Sequence, residues 1–237
     1  MMKLPYTPRS SSQALIIVAK QPVPGMTKTR LTPPFSPALA ARLFENFLID
    51  TIELVLQVMD AHPVLAFHPE QARPYFTTLA PQFELLLQEG ANLGERLDAA
   101  LTHFLRNGYQ RVVIMDSDSP TLPLACLTGA FEALAGGADV VLGPTEDGGY
   151  YLIGLTRPQH RLLREVQMST PSLTTDTLAI AAEEGLKTAL LPRWYDIDTA
   201  EDLKRLQADL TRLPGEIAAH TRAFLDERTE LLRTQTV

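Results

Sequence analysis

Hydrophobic positions fall into two patterns along the chain: short unbroken runs, and longer stretches with apolar residues three or four apart. The first run, Ala-Leu-Ile-Ile-Val-Ala over 14–19, is rich in branched residues and suits a strand covered on both faces within a parallel sheet. The segment from Lys20 to Pro37 then carries Pro22, Pro24, Pro33, Pro34 and Pro37 around Gly25. So many prolines preclude a regular helix and predict a long loop, and long loops inside compact domains are usually functional. Ser36 is a good N-cap for a helix whose Leu39, Leu43, Phe47, Ile52, Val55 and Met59 share one buried face.

The alternation continues to the end of the chain. Val64–Phe67 predicts a second strand, a proline-broken helix follows around Gln71–Leu79, and Phe83–Leu87 predicts a third strand. Asn92 caps a helix through Leu93, Leu97, Leu101 and Leu105 that ends at Asn107-Gly108, ahead of a strand at Val112–Met115. Pro123–Leu134 reads as a helix broken by Gly136-Gly137, and Asp139–Leu142 as a strand. Tyr150–Leu155 follows too closely for a parallel crossover, so its pairing is predicted to be antiparallel and the sheet mixed. Helices over Thr170–Glu184 and Ala200–Leu210 flank a last strand at Thr188–Leu191.

This order predicts the α/β class, as a three-layer αβα sandwich with a mixed, mostly parallel sheet. Ligands are expected beyond the carboxyl ends of the strands, where loops 20–35, 116–123 and 143–149 gather. Residues 1–13 read as a flexible N-terminal arm and 14–212 as one domain. Residues 213–237, after Pro214-Gly215, read as a helical tail that is peripheral or forms a homodimer contact.

Composition narrows the classes of function. Apolar residues make up 45% and charged residues 21%, the balance of a folded globular chain. A net charge of −7 provides no electrostatic footprint for nucleic acid, so a small anionic ligand would need a local cluster of cations. No apolar run approaches the ~20 residues of a membrane span, and the first residues lack the apolar core of a signal peptide. The single cysteine, Cys126, fits a reducing, cytoplasmic location and precludes a Cys-rich zinc site. The histidines form no zinc-ligand pair, and neither a Gly-x-Ser-x-Gly elbow nor a Gly-x-Gly-x-x-Gly turn is present.

Four segments could carry chemistry. Lys20, Lys28 and Arg30 lie in the proline-rich loop with Gly25, which permits close backbone approach, and form a candidate clamp for a diphosphate or triphosphate. The missing first glycine and the prolines exclude a Walker A loop. Asp116-Ser-Asp118-Ser-Pro follows a strand directly, and its two carboxylates suit a hard divalent cation, Mg²⁺ or Mn²⁺. Asp147-Gly148-Gly149-Tyr150 sits between two strands, where the glycines allow a tight turn and Asp147 could bond a hydroxyl or a base. In the last segment Thr199 and Asp202 form a capping-box pattern, which leaves Asp196 and Asp198 to face a site.

Taken together, A-K-x-P-x-P-G-x-x-K-T-R-L, G-x-N-L-G-E-R-L, D-S-D-S-P-T-L-P, G-P-T-E-D-G-G-Y-Y-L-I-G-L and Y-D-I-D-T-A-E-D-L run in order from about Ala14 to Leu206. The chain in this respect resembles the bacterial glycosyltransferase-like family related to 2-phospholactate guanylyltransferase, with the GT-A or nucleotide-diphospho-sugar transferase fold. The resemblance implies that Lys20, Lys28 and Arg30 touch nucleotide phosphates, with Asp118 the main metal ligand and Asp198 a second. Asp116 stands where relatives usually have Gly, and Asn92 where they commonly have Asp, while Gly94, Glu95 and Arg96 match, leaving Arg96 a candidate substrate residue.

The implied activity is a metal-dependent transfer from a nucleotide or nucleotide-sugar donor to a small-molecule acceptor, with Asp147 and Asp118 as catalytic candidates. One alternative is a nucleotidyltransferase joining a nucleoside triphosphate to a phosphorylated acceptor, and another is a nucleotide-binding module without turnover. Asp118→Asn is expected to abolish Mn²⁺-dependent stabilisation by nucleotide with the fold intact, since an amide is a poor ligand for a hard cation. Asp116→Gly should do less in the same melting assay, and equal losses would reverse that ranking.

Overall fold

The computed structural model describes residues 11–234, with side chains as far as residue 228. In chain order the described elements are β1 (Gln13–Ala19), α1 (Pro37–Val55), β2 (His62–Phe67), α2 (Arg73–Leu79), β3 (Glu84–Leu87), α3 (Leu93–Arg106), β4 (Arg111–Met115) and α4 (Leu124–Ala135). They continue with β5 (Val140–Pro144), β6 (Tyr150–Leu155), α5 (Arg161–Arg164), α6 (Leu173–Glu183), β7 (Thr188–Leu190), α7 (Ala200–Leu210) and α8 (Ala219–Thr234). Of the arm expected over 1–13, residues 1–10 lie outside the described residues, and Gln13 is already in β1.

The chain divides into two compact units. Among the described residues, one holds 11–21, Val55–Asp116 and Pro123–Tyr195; the other holds Pro22–Leu54, Ser117–Leu122 and 196–234. The first unit contains the whole sheet, in the order β3-β2-β1-β4-β6-β5-β7. β6 runs antiparallel to both β4 and β5, as its short connection predicts, and the remaining pairings are parallel.

Helices cover both faces of this sheet, which explains the unbroken apolar runs. Ala14, Ile16, Val64, Ala66, Val112, Ile114, Ile153 and Leu155 point to one side, where they pack with Ala100, Leu101 and Phe104 of α3, Leu162 and Leu163 of α5 and Ala181 of α6. On the opposite face Leu134 of α4 approaches Val113 and Val141 around Gly154, and Phe67 meets Phe76 of α2 with ring centroids 5.5 Å apart. The α/β sandwich of three layers with a mixed, mostly parallel sheet is therefore the observed fold.

Two expectations change in detail. The helix opened by Ser36, whose hydroxyl accepts from the Leu39 amide at 3.3 Å, ends at Val55, so Met59 lies beyond it and is 63% exposed. α5 is an additional helix that the apolar pattern does not predict, because four residues show no helical period.

The second unit is built on α1, α7 and α8, with the loop after Pro22 broken only by a 3-10 turn at Thr29–Leu31. Its helical tail is integral to this unit rather than peripheral. Phe224 and Leu225 of α8 are buried, and the Phe224 ring packs edge-on against Phe35 at 6.2 Å. Asp50 of α1 accepts from the amides of His220 and Thr221 at 3.0 and 2.9 Å and from the Thr221 hydroxyl, supplying acceptors to the first turn of α8. Burial holds the Asp50 carboxyl above its ordinary value of 3.8, with these hydrogen bonds and His220 opposing it.

A side chain at Gly154 would meet Val141 at 2.7 Å, Val113 at 2.9 Å and Leu134 at 3.1 Å, where α4 closes on the sheet. Gly154→Val should cost about 1–3 kcal/mol by overpacking, measured as a lower urea midpoint at unchanged m-value. An unchanged midpoint would show that α4 moves away freely.

Candidate functional site

In the second unit the sequence-distant candidates converge on one ammonium. Lys28 Nζ lies 2.7 Å from Asp118 Oδ1 and 2.8 Å from Asp198 Oδ1, and Arg30 pairs with the other oxygen of Asp198. The Lys28 side chain is 5% exposed, the two carboxylates 35% and 32%, and the Arg30 side chain 68%. The proline-rich loop therefore does not present Lys28 to solvent, as an exposed cation cluster would require. Two carboxylates draw it inward, and its ammonium also lies 5.8 Å from the centroid of the Phe44 ring.

Burial alone would lower the Lys28 pKa, but the facing charges of Asp118 and Asp198 and their hydrogen bonds outweigh it and hold the ammonium above its ordinary 10.5. For Asp198 burial likewise favours the neutral form, yet Lys28 and then Arg30 bring the carboxyl below its ordinary 3.8. The Lys28 backbone is left-handed, with φ 49 and ψ 43, a conformation that costs a non-glycine residue about 1–3 kcal/mol. The ion pairs and buried Leu31 in the following 3-10 turn hold it there.

Hydrogen bonds set the two aspartates opposite the lysine. The Ile197 amide donates to the Asp118 carbonyl at 3.0 Å, with Ile197 fully buried. The capping box of α7 forms as its sequence indicates, and Asp202 Oδ2 accepts from the amides of Thr199 at 2.8 Å and Asp198 at 3.1 Å. Asp202 thus fixes the backbone that carries Asp198. Asp196 accepts from the Ser119 hydroxyl at 2.8 Å, a tie between the same two segments that the sequence did not reveal.

In the first unit Lys20, Asp116 and the 147–150 turn stand at the carboxyl ends of the central strands β1 and β4. Ile17 of β1 pairs with Met115 of β4, which puts Asp116 level with Val18, and the exposed Lys20 follows two residues farther along the same direction. The Asp116 amide donates to the Tyr151 carbonyl at 3.1 Å at the start of β6, bringing the 145–149 turn to the same end of the strands. Asp147 Oδ1 accepts from the Thr145 hydroxyl and from the Gly149 amide, holding the turn closed.

Gly148 carries the positive φ, 94, and a Cβ there would stand 1.9 Å from the Pro171 carbonyl oxygen; Gly149 would bring a Cβ only to 3.0 Å from Thr145 Oγ1. Tyr150 turns its hydroxyl toward Met168 Sδ at 4.0 Å, and burial raises its pKa. Arg96 donates to the Gly90 carbonyl at 3.1 Å and braces the turn ahead of α3. In the second unit, Gly25 has φ 78 and open space where a Cβ would stand.

Asp118 and Asp198 fit a divalent cation by donor chemistry, since both offer hard oxygens that solvent reaches. With Lys28 and Arg30 the four charges cancel, so a divalent cation and anionic phosphates could be added together in balance. Asp50, Glu53 and His220 also place ligand atoms within 4.8 Å of one another. Asp50 serves the α8 terminus, however, and His220 Nε2 lies 3.1 Å from Glu53. A further cluster escaped sequence reasoning. Asp98, buried on α3, takes His160 Nδ1 at 2.7 Å and Arg164 from α5, partners that no motif connects.

Residues 51–170 match the family described as "uncharacterized protein conserved in bacteria" (DUF2064), which is more than half of the chain. The chain belongs to DUF2064. This DUF2064 protein is also similar, with a TM-score of 0.86 and 29% identity, to a crystal structure from Desulfovibrio desulfuricans G20 described as a proposed nucleotide-diphospho-sugar transferase, covering 94% of this chain and 98% of that one. CMP-2-keto-3-deoxy-manno-octonic acid synthetase, complexed with CTP, matches at TM-score 0.53 and 13% identity over 85% of this chain and 99% of its own. A cytidylyltransferase from Leptospira borgpetersenii serovar Hardjo-bovis matches at TM-score 0.54 and 13% identity over 96% and 99%. The last two share the fold alone. No curated protein matches the sequence.

Lys28→Ala should destabilise the protein by about 1–3 kcal/mol at pH 7, because it removes the cation that two facing carboxylates share, although Asp198 keeps its pair with Arg30. Asp198 has a depressed pKa, so its contribution is whole above pH 3.8 and disappears as pH falls through its lower folded value. The stability difference between the wild type and Asp198→Asn should accordingly be flat from about pH 5 to 8 and shrink below about pH 4 in urea melts. Gly148→Ala should lower the melting temperature more than Gly149→Ala, and the reverse order would contradict the turn geometry.

Proposed function

We propose that this chain is a cytoplasmic, metal-dependent transferase that uses a nucleotide-activated donor, most simply a nucleotide sugar, and a small-molecule acceptor. The observation that carries the reading is the convergence of Asp118, Asp198, Lys28 and Arg30 in one partly buried, charge-balanced cluster. Clusters of this composition suit the handling of phosphate oxygens, where fixed cations offset charge developing on a departing phosphate. The similarity to the D. desulfuricans protein across nearly the full length supports the same reading.

In this scheme Lys28 and Arg30 bind phosphate oxygens, and Asp118 and Asp198 hold Mg²⁺ or Mn²⁺. The ion would supply Lewis-acid neutralisation of the phosphates. Gly25 of the same unit is an additional phosphate contact, and Asp116 and Lys20 of the first unit are candidates there for a cation and for phosphate. Asp147 positions the Gly148-Gly149-Tyr150 turn and, through it, the acceptor, with Arg96 bracing a second turn. A second reading, transfer of the nucleotidyl group itself with release of pyrophosphate, is favoured by the fold shared with a synthetase complexed with CTP.

A melting-temperature screen of nucleoside triphosphates and nucleotide sugars, with and without Mn²⁺, tests the proposal. A true ligand at about 100 times its Kd adds about 2.7 kcal/mol of apparent stability. Stabilisation that requires Mn²⁺ and is lost in Arg30→Ala is expected. No stabilisation by any nucleotide would remove the transferase reading, and pyrophosphate production from a triphosphate and a phosphorylated acceptor would select the second reading.

A further inference from the structure

Lys28 fills the gap between the carboxylates of Asp118 and Asp198, the two residues proposed above to hold the metal. Its ammonium lies within hydrogen-bond distance of both carboxylates, and the side chain is 5% exposed. A Mg²⁺ ion needs oxygen ligands at about 2.0–2.1 Å. Two cationic centres cannot share one gap between the same two oxygens. We propose that Lys28 is a tethered cation that exchanges with the divalent ion: it holds the Asp118 and Asp198 pair until the ion arrives, and is then released toward anionic phosphate.

The exchange rests on the proposed role of Asp118 and Asp198 and extends it to the order of events. The lysine carries its charge on a flexible four-carbon stem, so the ammonium can leave while the backbone stays. The buried Leu31 and the Val23–Thr27 turn, in which the Met26 and Thr27 amides donate to the Val23 carbonyl, anchor the loop on either side. The two carboxylates are each about one-third exposed, so an ion from solvent can reach them. Arg30, on the second oxygen of Asp198, keeps that side chain in place during the exchange. The consequence is an intrinsically weakened metal site whose affinity rises when phosphate gives Lys28 a new partner, a positive coupling between the two ligands.

The test uses the metal alone. Free Mn²⁺ counted by electron paramagnetic resonance should show Lys28→Met binding Mn²⁺ at least tenfold more tightly than the wild type, with the gain lost in the Lys28→Met, Asp198→Asn double variant. In the wild type, saturating Mg²⁺ should raise acetylation of Lys28 severalfold by mass spectrometry while the exposed Lys187 and Lys204 stay constant. This second measurement decides the matter even if Lys28→Met does not fold. Equal Mn²⁺ affinity in wild type and Lys28→Met, or Lys28 acetylation unchanged by Mg²⁺, overturns the exchange. If the exchange holds but no nucleotide or nucleotide sugar stabilises the protein, the transferase reading fails and the exchange stands.

Discussion

A buried lysine keeps its charge only where close acceptors such as carboxylates meet it, and the surroundings of Lys28 in the second unit answer that constraint. Lys28 sits in a left-handed backbone conformation, with its ammonium 5.8 Å from the centroid of the Phe44 ring and paired with Asp118 and Asp198. Removing either acid would leave the other to carry the whole balance, because the desolvation of a buried cation is offset only by close, hydrogen-bonded partners. The chain therefore spends several structural devices on keeping both acids in place: the Ile197 amide on the Asp118 carbonyl, the Ser119 hydroxyl on Asp196, and the α7 capping box under Asp198.

The capping box shows how one local motif serves two levels. At the level of the helix, Thr199 and Asp202 satisfy amides that the first turn cannot. At the level of the site, the same Asp202 oxygen takes the Asp198 amide and so orients the residue that faces Lys28. A structural reading of Asp202 and a functional reading of Asp198 are consequently not rivals, since the first is the means of the second.

The antiparallel β6 is the corresponding device in the first unit. A purely parallel sheet would send the chain from β5 away through a helix. Instead the turn at 145–149 returns directly beside β4, and the Asp116 amide is tied to Tyr151. Gly148 is the residue on which this return depends, because its positive φ and its contact with Pro171 leave no room for a side chain. The turn is closed from within by Asp147, so its polar groups are committed to geometry before any ligand arrives.

Unbroken apolar runs, proline spacing and caps determined by themselves that this is an α/β sandwich, that β6 is antiparallel, and that Ser36, Asn92 and Thr199 begin helices, because those features act within a few residues. The missed elements have the same explanation in reverse: α5 is too short to show a period, and α1 stops before Met59 although the apolar spacing continues. The candidate residues were legible as types, cations in one loop and acids in two others, but their pairing was not. That Lys28 turns inward rather than toward solvent, that Asp198 is the acid sharing it with Asp118, and that Asp98 gathers His160 and Arg164 were decided only by tertiary structure. Burial and charge pairing between distant segments depend on distances in space, on which the order of residues along the chain carries no local signal.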